Sequence, residues 1–337
     1  MPKLAIPRLL RANPTESWLV IVLIVISVGM SLTNGQFLTV ANLFNLLNTS
    51  SVNLIFAVGL LVVLIAGGID ISFAVAASVV QYVVATLLMR MGGGDWISGL
   101  ALGAFVGACL GAFNAALIHY FRIISIVVTI ATFNIFFGLL MFFTKGVSIY
   151  NLPDWWIHRT MLVEFQQSNG AWAALSLPVA IMVVCVLATW VLIRHTSIGR
   201  QLYAFGDNPE GARRLGINIA AMHFVAFGWL GLMAGIAGVA QVHFTQQVVP
   251  NALAGRELDV LAAVVLGGAR LGGGRGTVLG CFLGVLLVSV TQNGLNLLGI
   301  SPYAFKMIVG AVILVAITLS NAPLGRMLAA VRARSRA

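Results

Sequence analysis

The chain has 337 residues, 60% of them hydrophobic and only 8% charged, with a net charge of +10 and a mean hydropathy of +1.02. Soluble domains carry roughly 25% charged residues, so this composition excludes a water-facing surface and points to an integral membrane protein. Its apolar runs are continuous rather than alternating, which excludes a β-barrel and leaves helices as the spanning elements.

Lys3, Arg8 and Arg11 precede a first apolar run from Trp18 to Leu32, and no small-residue cleavage site follows it. It reads as an uncleaved first helix. A span needs about 20 largely apolar residues. Helices are predicted near 17–33, 43–66, 72–90, 96–119, 123–144, 172–193, 221–242, 257–269, 276–298 and 302–320. The eighth is short and suits either a crossing or a re-entrant segment. The fold class is all-α: a polytopic transmembrane bundle of about ten spans with both termini cytoplasmic, and residues 1–337 form one transmembrane domain. The orientation follows from charge. With the N-terminus inside, the inner segments hold fourteen of the nineteen basic residues, among them Arg122, Arg194, Arg200, Arg213, Arg214, Arg270 and Arg275. Clusters of this kind are topology determinants, which removes nucleic acid as the reason for the positive charge.

Two extramembrane segments are sizeable. The outer one, Lys145 to Ala171, carries "NLPDWWIHRTMLVEF", and Trp155 and Trp156 suit an interfacial position on the membrane. The inner one, 194–221, encodes a short helix within "GDNPEGARRLGIN". Asp207 or Asn208 caps it, Pro209 suits its first position, and Glu210 favours its positive end. Gly211 leaves room for close approach. Arg213 and Arg214 sit near the C-terminal end, and Gly216 supplies the left-handed stop. Such a helix is either a docking element or an ordinary connector, and the residues alone leave both open.

Other features read as packing. Gly103, Gly107 and Gly111, Gly231 and Gly235, and Gly280 and Gly284 recur at four-residue spacing, which lets helices approach closely. Cys109, Cys185 and Cys281 lie in apolar runs without metal spacing. The histidines lack ligand spacing as well, so no metal site is expected. "LGGARLGGGRGT" is not a phosphate-binding loop, because no lysine follows the glycines. It reads as a tight inner turn with Arg270 and Arg275 at the headgroups.

Several long stretches, in order, carry a family resemblance. "LTVANLFNLLNTSSVNLIFAVGLLVVLIAGGIDIS", "GDNPEGARRLGIN", "GRELDVLAAVVLGGARLGGGRGTVLG" and "QNGLNLLGISPYAFKMIVGAVILVAI" resemble the monosaccharide (ribose-type) ABC importer permeases. "GDNPEGARRLG" is similarly close to the permeases for autoinducer-2. One departure lies after Asp70, where Phe73 and Val75 replace small residues common in the family. The resemblance implies a permease subunit in the bacterial inner membrane and not an enzyme. It also implies a second permease subunit, a cytoplasmic ABC ATPase and a periplasmic or extracellular solute-binding protein as partners. No cofactor is implied for this chain, since ATP would be used by the ATPase. The helix from Asp207 to Gly216 would be the coupling helix. The expected solute is a monosaccharide or similar small hydroxylated molecule.

Asp70, in "LVVLIAGGIDIS", falls at the inner end of the second span, where a charge reaches headgroups or water. Three roles stand open: capping the third helix through amides near Ser72 and Phe73, a salt bridge to an inner arginine, or a proton or sugar site. Gln81, Asn114, Asn134, Gln241, Gln292, Asn293 and Asn296 are polar residues inside spans, suited either to lining a path or to interhelical hydrogen bonds. A proton-coupled carrier using Asp70 is the competing class, disfavoured by a midplane nearly free of charge. An intramembrane enzyme is disfavoured by the lack of paired carboxylates or a Ser/His set. A branched-chain amino acid permease is a related alternative, and the absence of evident buried charges for a zwitterion counts against it.

Overall fold

The computed structural model describes residues 14–167, 170, 172–301, 304, 306–308, 310, 311 and 314. Among these, eight helices are long and apolar enough to cross a membrane. They are α1 (Pro14–Thr33), α2 (Val40–Ile65), α3 (Phe73–Arg90), α4 (Trp96–Phe121), α5 (Ser125–Thr144), α7 (Leu177–His195), α10 (Ile219–Thr245) and α12 (Val278–Leu297). Between them lie the short helices α6 (Asp154–Ile157), α8 (Ser197–Asp207), α9 (Pro209–Arg214) and α11 (Arg256–Leu266), and a hairpin of β1 (Met161–Gln166) and β2 (Trp172–Ser176).

Local chemistry sets the helix starts. Thr39, Asn218 and Thr277 each accept a hydrogen bond from the amide three residues on, at the heads of α2, α10 and α12. Asp95 and Ser98 form a reciprocal capping box at the head of α4. The Ser98 amide and hydroxyl hold the Asp95 carboxyl below its ordinary value.

The ten expected spans divide three ways. Eight match the long helices above. The eighth, expected at 257–269, is helical over only the 11 residues of α11. A helix of that length covers about 16 Å, roughly half the hydrocarbon thickness. Its flanks nevertheless reach opposite ends of the bundle. Val248 pairs with Ile149 in the loop after α5, and the Gly274 amide donates to the Ile65 carbonyl at the far end of α2 (2.9 Å). The segment therefore runs from end to end as a helix with irregular arms. The last expected span, 302–320, lies largely outside the described residues.

Two further expectations are corrected. Residues 172–176 begin no helix; they pair antiparallel with β1, and α7 starts only at Leu177. Trp156 is not a surface anchor. It is fully buried, its indole N–H donates to the Val239 carbonyl (2.9 Å), and Trp155 stacks on it while donating to Gly93 O (2.8 Å). A buried indole needs an acceptor, and these carbonyls provide it.

α2 is the most buried of the long helices, with every residue from Leu54 to Ile65 enclosed. The most extensive packing joins α4 to α10. A Cβ on Gly107 would overlap the Gly231 carbonyl, one on Gly111 the Phe227 carbonyl, and one on Gly235 the Gly103 carbonyl. Apolar side chains gain little by leaving lipid for one another, so close backbone approach is a main source of attraction here. Gly107→Ala and Gly111→Ala should each destabilise by about 1–3 kcal/mol or more. Gly138→Ala, which meets nothing within 4 Å, should be neutral or stabilising by up to about 1 kcal/mol. Thermal unfolding of the detergent-purified variants separates the two cases; equal midpoints would show that the seam is loose.

Candidate functional site

The end of the bundle that carries Arg122, Arg194, Arg200, Arg213, Arg214, Arg270 and Arg275 is its basic end. Here the short helix read from the sequence is present as α9. Asn208, not Asp207, is its cap: Asn208 Oδ1 accepts from the Gly211 amide (2.9 Å), while Asp207 closes α8. Pro209 opens the helix and Glu210 lies in its first turn. At the other end the Gly216 amide donates to Arg213 O and the Ile217 amide to Ala212 O, both at 3.1 Å, with Gly216 at φ +78°. This pair of bonds is a Schellman closure. Ala212 anchors α9 in the protein, whereas Pro209, Glu210, Arg213, Arg214 and Leu215 face outward, Leu215 at 80% exposure. An exposed leucine thus stands among arginines on a short helix closed at both ends. Beside it opens a cavity of about 910 Å³, bounded by the α4–α5 turn, α8–α9 and the start of α10. His119 and His223, which sequence spacing did not join, meet there with their Nδ1 atoms 3.4 Å apart.

The helix pair α8–α9 rests on two other segments through glycine. A Cβ on Gly206 would overlap the Ile65 carbonyl at the end of α2, and one on Gly273 would overlap Gly206 O. Gly274 lies against Asp207, and Tyr203 Oη donates to the Gly276 carbonyl (2.6 Å). Burial raises the Tyr203 hydroxyl above its ordinary value, so it stays a donor. The "LGGGRGT" run is thus the turn expected, closed by Gly273 N donating to Arg270 O and Arg270 N to Arg275 O. Its glycines serve a three-way junction that sequence reading missed. The signal was present as glycines at Gly67, Gly206 and Gly273–Gly274, but nothing in the sequence pairs them.

Asp70 is not at the membrane surface. It is 2% exposed. Its partner Asn114 lies seven residues before the end of α4, about 10 Å inside the bundle. After Ile65 the chain turns at Gly67 (φ +82°) and climbs back, so that Phe73 packs on Phe56, nine residues up α2. Ser125 Oγ accepts from the Ile69 amide (3.0 Å) and Thr129 Oγ1 donates to Ile69 O (3.3 Å), which satisfies this irregular backbone. Asp70 Oδ1 accepts from both the amide and the hydroxyl of Ser72 at 2.7 Å. Asn114 Nδ2 donates to Asp70 Oδ2 (3.3 Å) and to Ser72 Oγ (2.8 Å). The carboxylate holds the turn just before α3, at the positive end of that helix. Its hydrogen-bond partners here are Ser72 and Asn114, not an arginine.

The other candidate path residues scatter. Gln81 donates to Gly238 O (2.9 Å), joining α3 to α10. Asn134 donates to Ile130 O on its own helix. Gln241 Oε1 accepts from Arg256 (3.2 Å). Asn293 and Asn42 exchange amide bonds at 2.9 Å between α12 and α2. Asn296 is exposed near the end of α12. Gln292 faces a small cavity with Asn53, Asp259 and Ser289. The sequence reading had found the midplane nearly free of charge; Asp259 stands there beside Asn53, halfway along α2.

The profile of the family described as "Branched-chain amino acid transport system / permease component" matches residues 42–317. The chain belongs to this permease family. It is 34% identical to the ribose import permease protein of Escherichia coli K12 over 91% of this chain and 95% of that one. It is 33% identical to the ribose import permease protein of Bacillus subtilis 168, over 89% and 90%. It is 30% identical to the autoinducer 2 import system permease protein of Photorhabdus laumondii, over 85% and 83%. No solved structure matches the chain. The family and the apolar helices together make it a multi-pass inner-membrane protein of the ribose-type ABC permeases.

In this permease the Asp70 turn is open to a direct test. Asp70→Asn keeps an acceptor for the Ser72 amide, and the Asn114 carbonyl oxygen, which has no partner now, can turn to accept from the new amide. Asp70→Leu strands the Ser72 amide and hydroxyl proton and leaves the Asn114 amide only its bond to Ser72 Oγ, at about 1–3 kcal/mol for each buried group left unpaired. The Leu variant should therefore lose folded protein and thermal stability well beyond the Asn variant. Equal stability with equal loss of transport would assign the role to the charge itself.

Proposed function

We propose that this chain is the membrane-spanning permease subunit of a binding-protein-dependent ABC importer, moving a monosaccharide or similar small hydroxylated solute inward. The observation that carries this reading is α9: a helix closed at both ends, exposed on one face, and continuous with α8, whose Gly206 and Asp207 lie against the ends of two segments that enter the bundle. In this reading α9 is the coupling helix, and a separate cytoplasmic ATPase presents the groove that receives Leu215 and the arginines. The basic end is cytoplasmic, both termini lie on that side, and the chain makes ten passes, with α11 and its arms as one of them. A second permease subunit completes the pathway and a solute-binding protein delivers the solute from outside. The chain itself takes no cofactor; ATP is hydrolysed by the partner.

The solute class rests on the ribose import permeases at 33–34% identity and on the side chains available. Arg256 is engaged with Gln241, and both Glu257 oxygens accept from the Gly255 amide. Those charges serve the start of α11 and Asp259 couples to Arg256, so among the described residues of this region no carboxylate and cation stand free for the two ends of an amino acid. Amides and hydroxyls remain, and these both donate and accept, as a sugar requires.

The test uses the coupling helix. Arg213→Glu with Arg214→Glu inverts the exposed charge, and Gly211→Trp places bulk on α9, where even a Cβ meets the Asn208 side chain at 3.1 Å. Surface changes of the first kind should alter stability by no more than about 0.5 kcal/mol. Insertion into the membrane should be normal, while co-purification of the ATPase and solute-stimulated ATP hydrolysis should be lost. Uptake by the purified chain alone, driven by a proton gradient, would sink the importer reading.

A further inference from the structure

The cavity of about 910 Å³ at the basic end gathers charge of mostly one sign. Arg122 lines it from the α4–α5 turn and Arg213 from α9, with His119 and His223 between them in the lining. Asp207 is the one carboxylate among its described lining residues. Among the described residues, neither guanidinium takes part in a hydrogen bond or an ion pair, in contrast to Arg256, which is bonded to Gln241. The two histidines are bonded to each other through Nδ1, which leaves one neutral ring its Nε2–H as a donor.

Two helix ends add to this field. α5 begins at Ser125, which lines the cavity, and no side chain caps that end. α10 begins at Ile219, which lines the cavity together with Ala220. Both helices bring their positive ends to this space. The unpartnered arginines are the deciding part, because a guanidinium presents a planar fork of donors that fits a phosphate.

The rest of the lining says what carries the phosphate. Ile118, Ile123, Ile124, Phe205 and Phe227 share the walls with the arginines. The α4–α5 turn joins two largely unburied spans, and its Tyr120, Phe121 and Ile124 are exposed. A free phosphate ion would fill a small part of the cavity and would gain nothing from these apolar groups. An amphiphile uses both: its phosphate takes the arginines, and its chains run over Phe121 and Ile124 into the bilayer. Basic pockets between spanning helices are where anionic headgroups settle. Arginines that serve orientation alone need no such cavity. Arg194 and Arg200 are of that kind, since both are exposed at the same end and neither lines this space.

We infer that this cavity binds the phosphate of an anionic phospholipid, held by Arg122 and Arg213 between the α4–α5 turn and α9. The lipid bridges the membrane-facing turn to the exposed helix, so that α9 has a support besides its continuity with α8. Arg214 and Leu215, which do not line the cavity, stay exposed beside it. Binding of lipid needs neither an ATPase nor a solute, so it stands apart from the importer reading.

The experiment measures lipid binding by the full chain, purified in a neutral detergent and stripped of lipid. Phosphatidylglycerol and phosphatidylcholine are titrated in mixed micelles, and glycerol 1-phosphate and inorganic phosphate without added lipid. Native mass spectrometry counts bound lipid, and thermal unfolding reports stabilisation. The wild-type chain should bind phosphatidylglycerol in clear preference to phosphatidylcholine. Arg122→Gln with Arg213→Gln should weaken that binding by about tenfold or more. Arg194→Gln with Arg200→Gln, an equal loss of charge at the same end, should change it by less than about twofold. Unfolding midpoints without lipid should match the wild type and show that both variants are folded. Equal weakening by the two pairs would overturn the site and leave only diffuse surface charge. So would equal binding of phosphatidylglycerol and phosphatidylcholine by the wild type, a comparison that needs no variant. Stabilisation by glycerol 1-phosphate or inorganic phosphate as large as that by phosphatidylglycerol, and lost with Arg122 and Arg213, would overturn the lipid and assign the arginines to a soluble phosphate.

Discussion

Backbone lying directly on backbone is the contact on which this bundle depends. Lipid gives apolar side chains little reason to leave it for one another, so attraction between helices comes from dispersion and hydrogen bonding at short range. Glycine supplies that range at α4 and α10, where Gly107 and Gly111 face Gly231 and Phe227. It does so again where Gly280 and Gly284 receive Gly267 and Ala263. The second contact matters more than its length suggests, because it fixes the short helix α11 against α12. Without that anchor the irregular arms on either side of α11 would have no defined path through the membrane.

Those arms, and residues 66–72, are the places where the backbone leaves helical geometry inside the protein. Each must satisfy its polar groups locally. The 66–72 segment does so with Ser125, Thr129 and the Asp70–Ser72–Asn114 cluster. The arm before α11 uses Glu257 on the Gly255 amide and the Val248–Ile149 pairing. Both breaks are thus built from a few polar residues in an otherwise apolar chain, which accounts for the placement of Asp70 and Glu257 where hydropathy alone would put neither.

Legibility in the sequence followed the range of the interaction. The eight long helices stand within a few residues of their expected limits because each is a property of one continuous run. The caps of α9 were also readable, since Asn208, Pro209 and Gly216 act on neighbours within a few residues. What escaped was pairing at a distance. The glycine stripes were visible, but not that Gly103 meets Gly235 or that Gly206 meets Ile65. Trp155 and Trp156 read as interfacial because their composition suits an interface; the carbonyls that hold them, on Gly93 and Val239, belong to other elements. Among the candidate site residues, α9 was legible as a unit. Asp70 was identified at the inner end of the second span but not as buried there, because hydropathy reports the apolar run before it and not the turn that carries the chain back inside. Asn53 and Asp259 were missed because each looks unremarkable until α2, α11 and α12 are brought together.

The junction at the basic end joins these parts into one mechanical path. α8 and α9 rest on Gly67 and Ile65 on one side and on Gly273 and Gly274 on the other. The first side leads into residues 66–72 and so to Asp70 and α3. The second leads back through α11 to Asp259 and the small cavity it shares with Asn53 and Gln292. A displacement of α9 cannot be absorbed by side chains at this junction, because Gly206, Gly67, Gly273 and Gly274 have none to rearrange, and close-packed interiors transmit strain rather than deform smoothly. It must pass to the backbone of the two segments that interrupt the helices. The chain is thus continuous in its long helices and irregular at these two places, and both irregular segments meet α8 at its glycine end.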